Sequence, residues 1–212
     1  MSEGGDAPRP DTSPLGEIAP RVVAHLEEKH AAREKALRAS RALIQASARS
    51  IRQVHRGEMA EAKARLDAAR AAADEGFEGL GGHPDIEHAG FVHDAEKEYA
   101  EARATLALVS GSPLPSPEEV GVNAAAWLNG IAEAAGELRR VILDRLRQGD
   151  FDGCEALLEA MDDIYSLLVT IDFPDAMTGG LRRTTDQTRG ILERTRGDLT
   201  MAIVQRRATP EG

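Results

Sequence analysis

From about Pro20 to Arg56, small or apolar residues recur at alternating intervals of three and four: Val23, Leu26, His30, Leu37, Ser40, Ile44, Ser47, Ile51 and Val54. Only a helix brings such positions onto one face, so the spacing predicts one long helix packed along a single seam and closed at Gly57. The composition agrees with close helix packing. Of 212 residues, 42% are hydrophobic but only 3% are aromatic, which leaves a β-sandwich without the bulky and β-branched residues its core needs. A chain of this length fits one large core better than two small ones.

The rest of the chain reads the same way. An alanine-rich helix is expected from about Glu58 to Asp74, ending in the cluster Gly76, Gly79, Gly81 and Gly82. A third is expected from Pro84 to Val109, with Val92, Ala95, Tyr99, Ala102, Leu106 and Val109 as its seam. The loop Ser-Gly-Ser-Pro-Leu-Pro ends it, and Ser116, Pro117 and Glu119 form a capping box that opens a fourth helix to about Gln148. A fifth runs from about Phe151 to Thr170, and a sixth from about Leu181 to Arg206 after a turn at Phe173-Pro174 and Gly179-Gly180. The fold class expected is all-α, an antiparallel bundle of six to seven helices spanning residues 17–207. Residues 1–16 and 208–212, rich in Gly, Pro and Ser, read as mobile tails.

With 26 Lys and Arg against 36 Asp and Glu, the net charge is −10. No apolar run approaches the ~18 residues of a membrane span, and the N-terminus has neither the basic start nor the apolar middle of a signal peptide. The single cysteine, Cys154, permits no disulfide and reads as a packing residue. A soluble cytoplasmic protein is expected, with no membrane contact.

Two features have chemical content. Glu98 and Glu101, three apart on the third helix, share a face, and so do Glu133 and Glu137, four apart on the fourth. Antiparallel packing of these helices would join four carboxylates, the composition of a site for Mg²⁺ or Mn²⁺, although acid pairs at this spacing are common on solvated faces. On the first helix Arg38, Arg41, Arg49, Arg52 and Arg56 fall within a stripe roughly 80° wide, suited to a nucleic-acid backbone or to a salt-bridged face involving Glu27, Glu28 and Glu34. A second basic set, Arg182, Arg183, Arg189, Arg194 and Arg196, lies on the last helix. His83, His88 and His93 are five apart and do not share a helical face. No phosphate-binding glycine loop, zinc cluster or nucleophile with a recognisable partner occurs.

Residues 89–102, Ala-Gly-Phe-Val-His-Asp-Ala-Glu-Lys-Glu-Tyr-Ala-Glu-Ala, and 127–140, Trp-Leu-Asn-Gly-Ile-Ala-Glu-Ala-Ala-Gly-Glu-Leu-Arg-Arg, together resemble the translin family. Residues 172–199, beginning Asp-Phe-Pro-Asp-Ala-Met-Thr-Gly-Gly-Leu-Arg-Arg, are similar to its prokaryotic members, and the resemblance extends from about 20 to 206. It implies an all-α subunit in a closed, hollow homo-oligomer, commonly an octamer, that holds single-stranded RNA or DNA inside.

The resemblance also bears on chemistry. The catalytic subfamily, translin-associated factor X, carries Glu-Tyr-x-Glu-Ala and then Gly-x-Ala-Asp-x-x-Gly-Glu-Leu, whose acids bind a divalent metal and cut RNA. Glu98 and Glu101 match the first motif and Glu137 the second. Glu133 stands where that subfamily has Asp, which keeps the carboxylate but extends it by one methylene. The expectation is therefore a metal-dependent endoribonuclease with Glu98, Glu101, Glu133 and Glu137 as metal-binding and catalytic residues. Mg²⁺ or Mn²⁺ is the expected cofactor, and the arginine stripe is the expected contact for nucleic acid. The alternative, motivated by Glu133, is a translin-type oligomer that binds single strands without cutting them.

Overall fold

The computed structural model describes residues 12–208. Six long helices make the body: α1 (Leu15–His55), α2 (Met59–Phe77), α4 (Gly90–Val109), α6 (Ala124–Arg147), α7 (Cys154–Leu168) and α9 (Leu181–Ala208). Single-turn helices α3 (Pro84–Glu87), α5 (Pro117–Val120) and α8 (Asp175–Thr178) and a 3₁₀ turn at Leu80–Gly82 join them, with no strand among the described residues. The expected all-α class is what the chain adopts. Of the two expected tails, residues 1–11 and 209–212 lie outside the described residues, while Leu15, Gly16 and Ala208 belong to helices.

Helix ends follow local chemistry, and so do two departures from the expected boundaries. The capping box forms: Glu119 N–H donates to Ser116 Oγ at 3.2 Å and Ser116 N–H to Glu119 Oε2 at 2.7 Å. It caps only one turn, because Gly121 takes a left-handed φ of 75° and the chain restarts at Asn123, whose Oδ1 accepts Ala126 N–H at 2.9 Å. The expected third helix is likewise divided, with Ala89 extended at ψ 146° between α3 and α4.

Helix α4 occupies the middle, with α1 on one side and α6 on the other. One core, with Leu43, Val54, Leu66 and Tyr99, lies among α1, α2 and α4; the other, with Ile131, Leu138, Met161 and Leu192, lies among α6, α7 and α9. The hairpins α1–α2 and α6–α7 are antiparallel across short turns, but α4 and α6 run in the same direction. Glu96 meets Asn123, Lys97 and Ala100 meet Gly130, and Ala104 reaches the core containing Ile131 and Leu138. The chain between them, Ser110 to Asn123, must return along the molecule, and Trp127 Nε1–H pins that return by donating to the Pro115 carbonyl at 2.9 Å.

Four of the nine seam positions expected on α1 are buried as read. Ser40, Ser47, Ile51 and Val54 are buried, joined by Ala36, Leu43 and Ser50, whereas Val23 and Leu26 are 51% and 55% exposed. The reason is reach. Gly76, at the end of α2, meets α1 at Ala39, so α2 covers none of the first turns of α1. Cys154 is fully buried, the packing role expected of it.

Candidate metal centre and nucleic-acid interface

The crossing of α4 and α6 sets the site. A Cβ on Gly130 would lie 2.6 Å from the Lys97 carbonyl oxygen and 2.7 Å from Ala100 Cβ, so only glycine lets the backbones approach this closely. One turn beyond that contact, Glu133 faces Glu98 and Glu101. Each of the three offers a carboxylate oxygen, all within 4.8 Å of one another, and each is partly buried. An octahedral cation with bonds near 2.1 Å separates neighbouring ligand oxygens by about 3 Å and opposite ones by about 4.2 Å, so the three carboxylates close on an ion by side-chain rotation of up to about 2 Å. These three glutamates can hold a metal ion, and an all-carboxylate donor set suits a hard cation.

Electrostatics mark the same place. Burial, and then the charges of Glu98, Glu133 and Glu137, push the Glu101 carboxyl up to about 8. Burial also raises Glu98, against the pull of Lys97. Packed carboxylates without a cation are held in check partly by protons and partly by nearby bases.

Two of those bases were not anticipated. Lys97 Nζ donates to Glu133 Oε1 at 2.8 Å and lies 3.9 Å from Glu98 Oε1. Burial works against its charge, but the bond to Glu133 and the charges of Glu133, Glu98 and Asp94 outweigh that and raise its pKa. His55, at the end of α1 and 6% exposed, bonds through Nε2 to Glu137 Oε2, while its buried Nδ1 has no partner. That bond outweighs burial and, with the charge of Arg140, lowers the Glu137 pKa. Glu137 thus faces His55 and lies outside the compact group of three, although its charge reaches Glu101. Lys97 has a local signal, being four residues before Glu101 on the same helical face. His55 has none, since 82 residues separate it from Glu137.

The arginines stand as the stripe predicts. Arg38, Arg41, Arg49, Arg52 and Arg56 are all exposed, on the side of α1 opposite its buried Ser40, Ser47 and Val54. Arg52 is one turn from His55, so the stripe's end adjoins Glu137. Among the described residues none of the five is ion-paired; Glu34 pairs instead with Arg33. On α9, by contrast, Arg182 and Arg196 are paired with Asp172 and Asp162. No helix among the described residues is long and apolar enough to cross a membrane.

The fold and the site define a class: a helical protein with a carboxylate cluster at a helix crossing and a free guanidinium stripe beside it. Among solved structures, AfC3PO is 35% identical, with a TM-score of 0.79 over 89% of this chain and 98% of that one. A complex of AfC3PO with duplex RNA matches at 36% identity and TM-score 0.78 with the same coverage. The chain belongs to the translin family. Apo-NeC3PO, 21% identical over 91% of this chain and all of its own, shares the fold at TM-score 0.76. An uncharacterised protein of Methanocaldococcus jannaschii is 28% identical over 184 residues, 86% of this chain and 81% of that protein. No protein-family model matches the chain.

Proposed function

We propose that the chain is a metal-dependent endoribonuclease resembling translin-associated factor X, acting on single-stranded RNA inside a homo-oligomer, an octamer being the size that the resemblance to the translin family implies. Single-stranded DNA would bind through the same phosphate chemistry, and the cytoplasm is the expected compartment. The observation that supports this reading is the group Glu98, Glu101 and Glu133, brought together by the close α4–α6 crossing at Gly130.

Those three residues would hold Mg²⁺ or Mn²⁺, with Glu137 as the fourth acid at the edge. The bound cation supplies Lewis acidity, which makes water a better nucleophile and offsets charge building on a phosphate oxygen. The protein's own part is positioning. Glu101 releases its proton to become a ligand, and His55 fixes the direction of the Glu137 carboxylate. Arg38, Arg41, Arg49, Arg52 and Arg56, unclaimed by any acid of their own chain, bind successive phosphates.

One observation favours the non-cutting alternative: Glu133 and Glu137 already have basic partners within the chain, so the acids are partly compensated without a metal. Because AfC3PO has been solved in complex with duplex RNA, duplex is tested beside single strands. Cleavage of labelled single-stranded and duplex RNA, with Mg²⁺ and with chelator, separates the readings. Chelator-sensitive cutting of single strands is expected; binding of RNA without any cutting would favour the binder.

A further inference from the structure

The ammonium of Lys97 pairs with two of the three clustered carboxylates. It bonds Glu133 at 2.8 Å, lies 3.9 Å from Glu98, and acts through its charge on Glu101 as well. It therefore holds two of the three glutamates of the cluster directly and bears on the third through its charge alone. Its own side chain is only 20% exposed, so water replaces little of what these acids give it. The backbone offers no slack, because the Lys97 carbonyl is packed at the Gly130 crossing, and only the flexible side chain can move.

We propose that Lys97 is a tethered competitor for the cation: its ammonium holds Glu133 and Glu98 in the metal-free protein and must leave Glu133 when a divalent ion enters. This rests on the metal-site reading above. A competitor that costs nothing to synthesise and never diffuses away sets a floor on the metal concentration needed to load the site. It also keeps like charges at the α4–α6 crossing compensated until loading occurs. The ammonium stem carries several rotatable bonds, so displacement needs a rotamer change and no helix movement.

The test uses the full chain, chelator-treated, and Mn²⁺ alone as probe, with free Mn²⁺ counted by electron paramagnetic resonance. Lys97→Met keeps the stem and removes the charge, and Lys97→Arg keeps the charge. The methionine variant is expected to bind Mn²⁺ about fivefold to tenfold more tightly than the parent, and the arginine variant no more tightly than the parent. Thermal melting guards against a folding artefact: Lys97→Met should melt lower than the parent without metal and gain more from Mn²⁺. Equal or weaker Mn²⁺ binding by Lys97→Met, with the parent binding, overturns the competitor role and leaves the metal site standing. Equal tightening by both variants assigns the effect to shape and overturns it too. Binding by Lys97→Met alone supports the proposal in its strongest form. Binding by neither removes the metal site and the competitor together.

Discussion

Glu101 is where the site's electrostatics converge, since it is the most burdened of the three clustered acids and takes its shift first from burial and then from Glu98, Glu133 and Glu137. A carboxyl raised from 4.5 to about 8 binds its proton more tightly in the folded protein than in the unfolded chain. Its contribution to stability is therefore complete below pH 4.5 and is lost as pH rises to about 8. Denaturant midpoints of the metal-free protein are expected to fall across that window, and Glu101→Gln, which mimics the protonated acid, should flatten the fall. A parent profile already flat from pH 5 to 8 would contradict the assignment. At this scale Glu98, Glu101 and Glu133 were legible because helical spacing and motif both point to them. His55 was not, because what makes it matter is contact with α6, 82 residues away, which no local pattern encodes; Lys97 shares the helical face of Glu101, but its bond to Glu133 was hidden in the same way.

Among the elements, the α4–α6 crossing decides whether there is a site at all. Gly130→Ala puts a methyl within 3 Å of Lys97 O, Ala100 Cβ and Glu101 N, contacts that backbone must yield to. Overpacking of this kind costs about 1–3 kcal/mol, and the relief available is separation of the two helices, which draws Glu133 away from Glu98 and Glu101. A lower melting temperature together with weaker Mn²⁺ binding is expected; unchanged values for both would show that the crossing has room to spare. Helix ends at Gly57, Gly149 and the Gly179-Gly180 turn were legible because glycine there leaves helical φ, as each does at +62° or more. The break at Gly121 was missed because the capping box upstream of it is a genuine start, and the pattern cannot say that it serves only one turn. The direction of α6 relative to α4 was likewise hidden, since spacing within a helix is the same whichever way its neighbour runs. Glu98–Glu101 and Glu133–Glu137 each occupy a single face, and in the direction that α6 takes Glu133 meets the first pair while Glu137 turns to His55.

The whole chain leaves apolar surface that its own helices do not cover. Leu15, Val22 and Leu26 are 58%, 49% and 55% exposed along the face of α1 that farther on is buried, and Met201 and Val204 are exposed near the end of α9. Such surface at helix ends favours association, so light scattering in physiological salt is expected to give several times 22.7 kDa. A mass of one or two chains would contradict an enclosed site. An assembly that turned Arg38, Arg41, Arg49, Arg52 and Arg56 inward and acids outward would reconcile a net charge of −10 with nucleic-acid binding. RNA affinity should then fall steeply with salt, and Arg49→Ala with Arg52→Ala should lower the slope by roughly one to two released counterions. A slope unchanged by the pair would place the contact surface elsewhere.

Whether Glu98, Glu101 and Glu133, with Glu137 at their edge, hold a cation for cutting RNA is decided by parallel cleavage and binding measurements on Glu98→Gln and Glu137→Gln. The amide keeps the shape and one acceptor oxygen while removing the charge, so assembly and RNA binding should persist, with binding slightly tighter as repulsion of phosphate is relieved. Mg²⁺-dependent cleavage should disappear in both variants. Cleavage at the parental rate by both, or a parent protein that binds RNA and shows no chelator-sensitive cutting, would contradict the claim and make the protein a translin-type binder that does not cut.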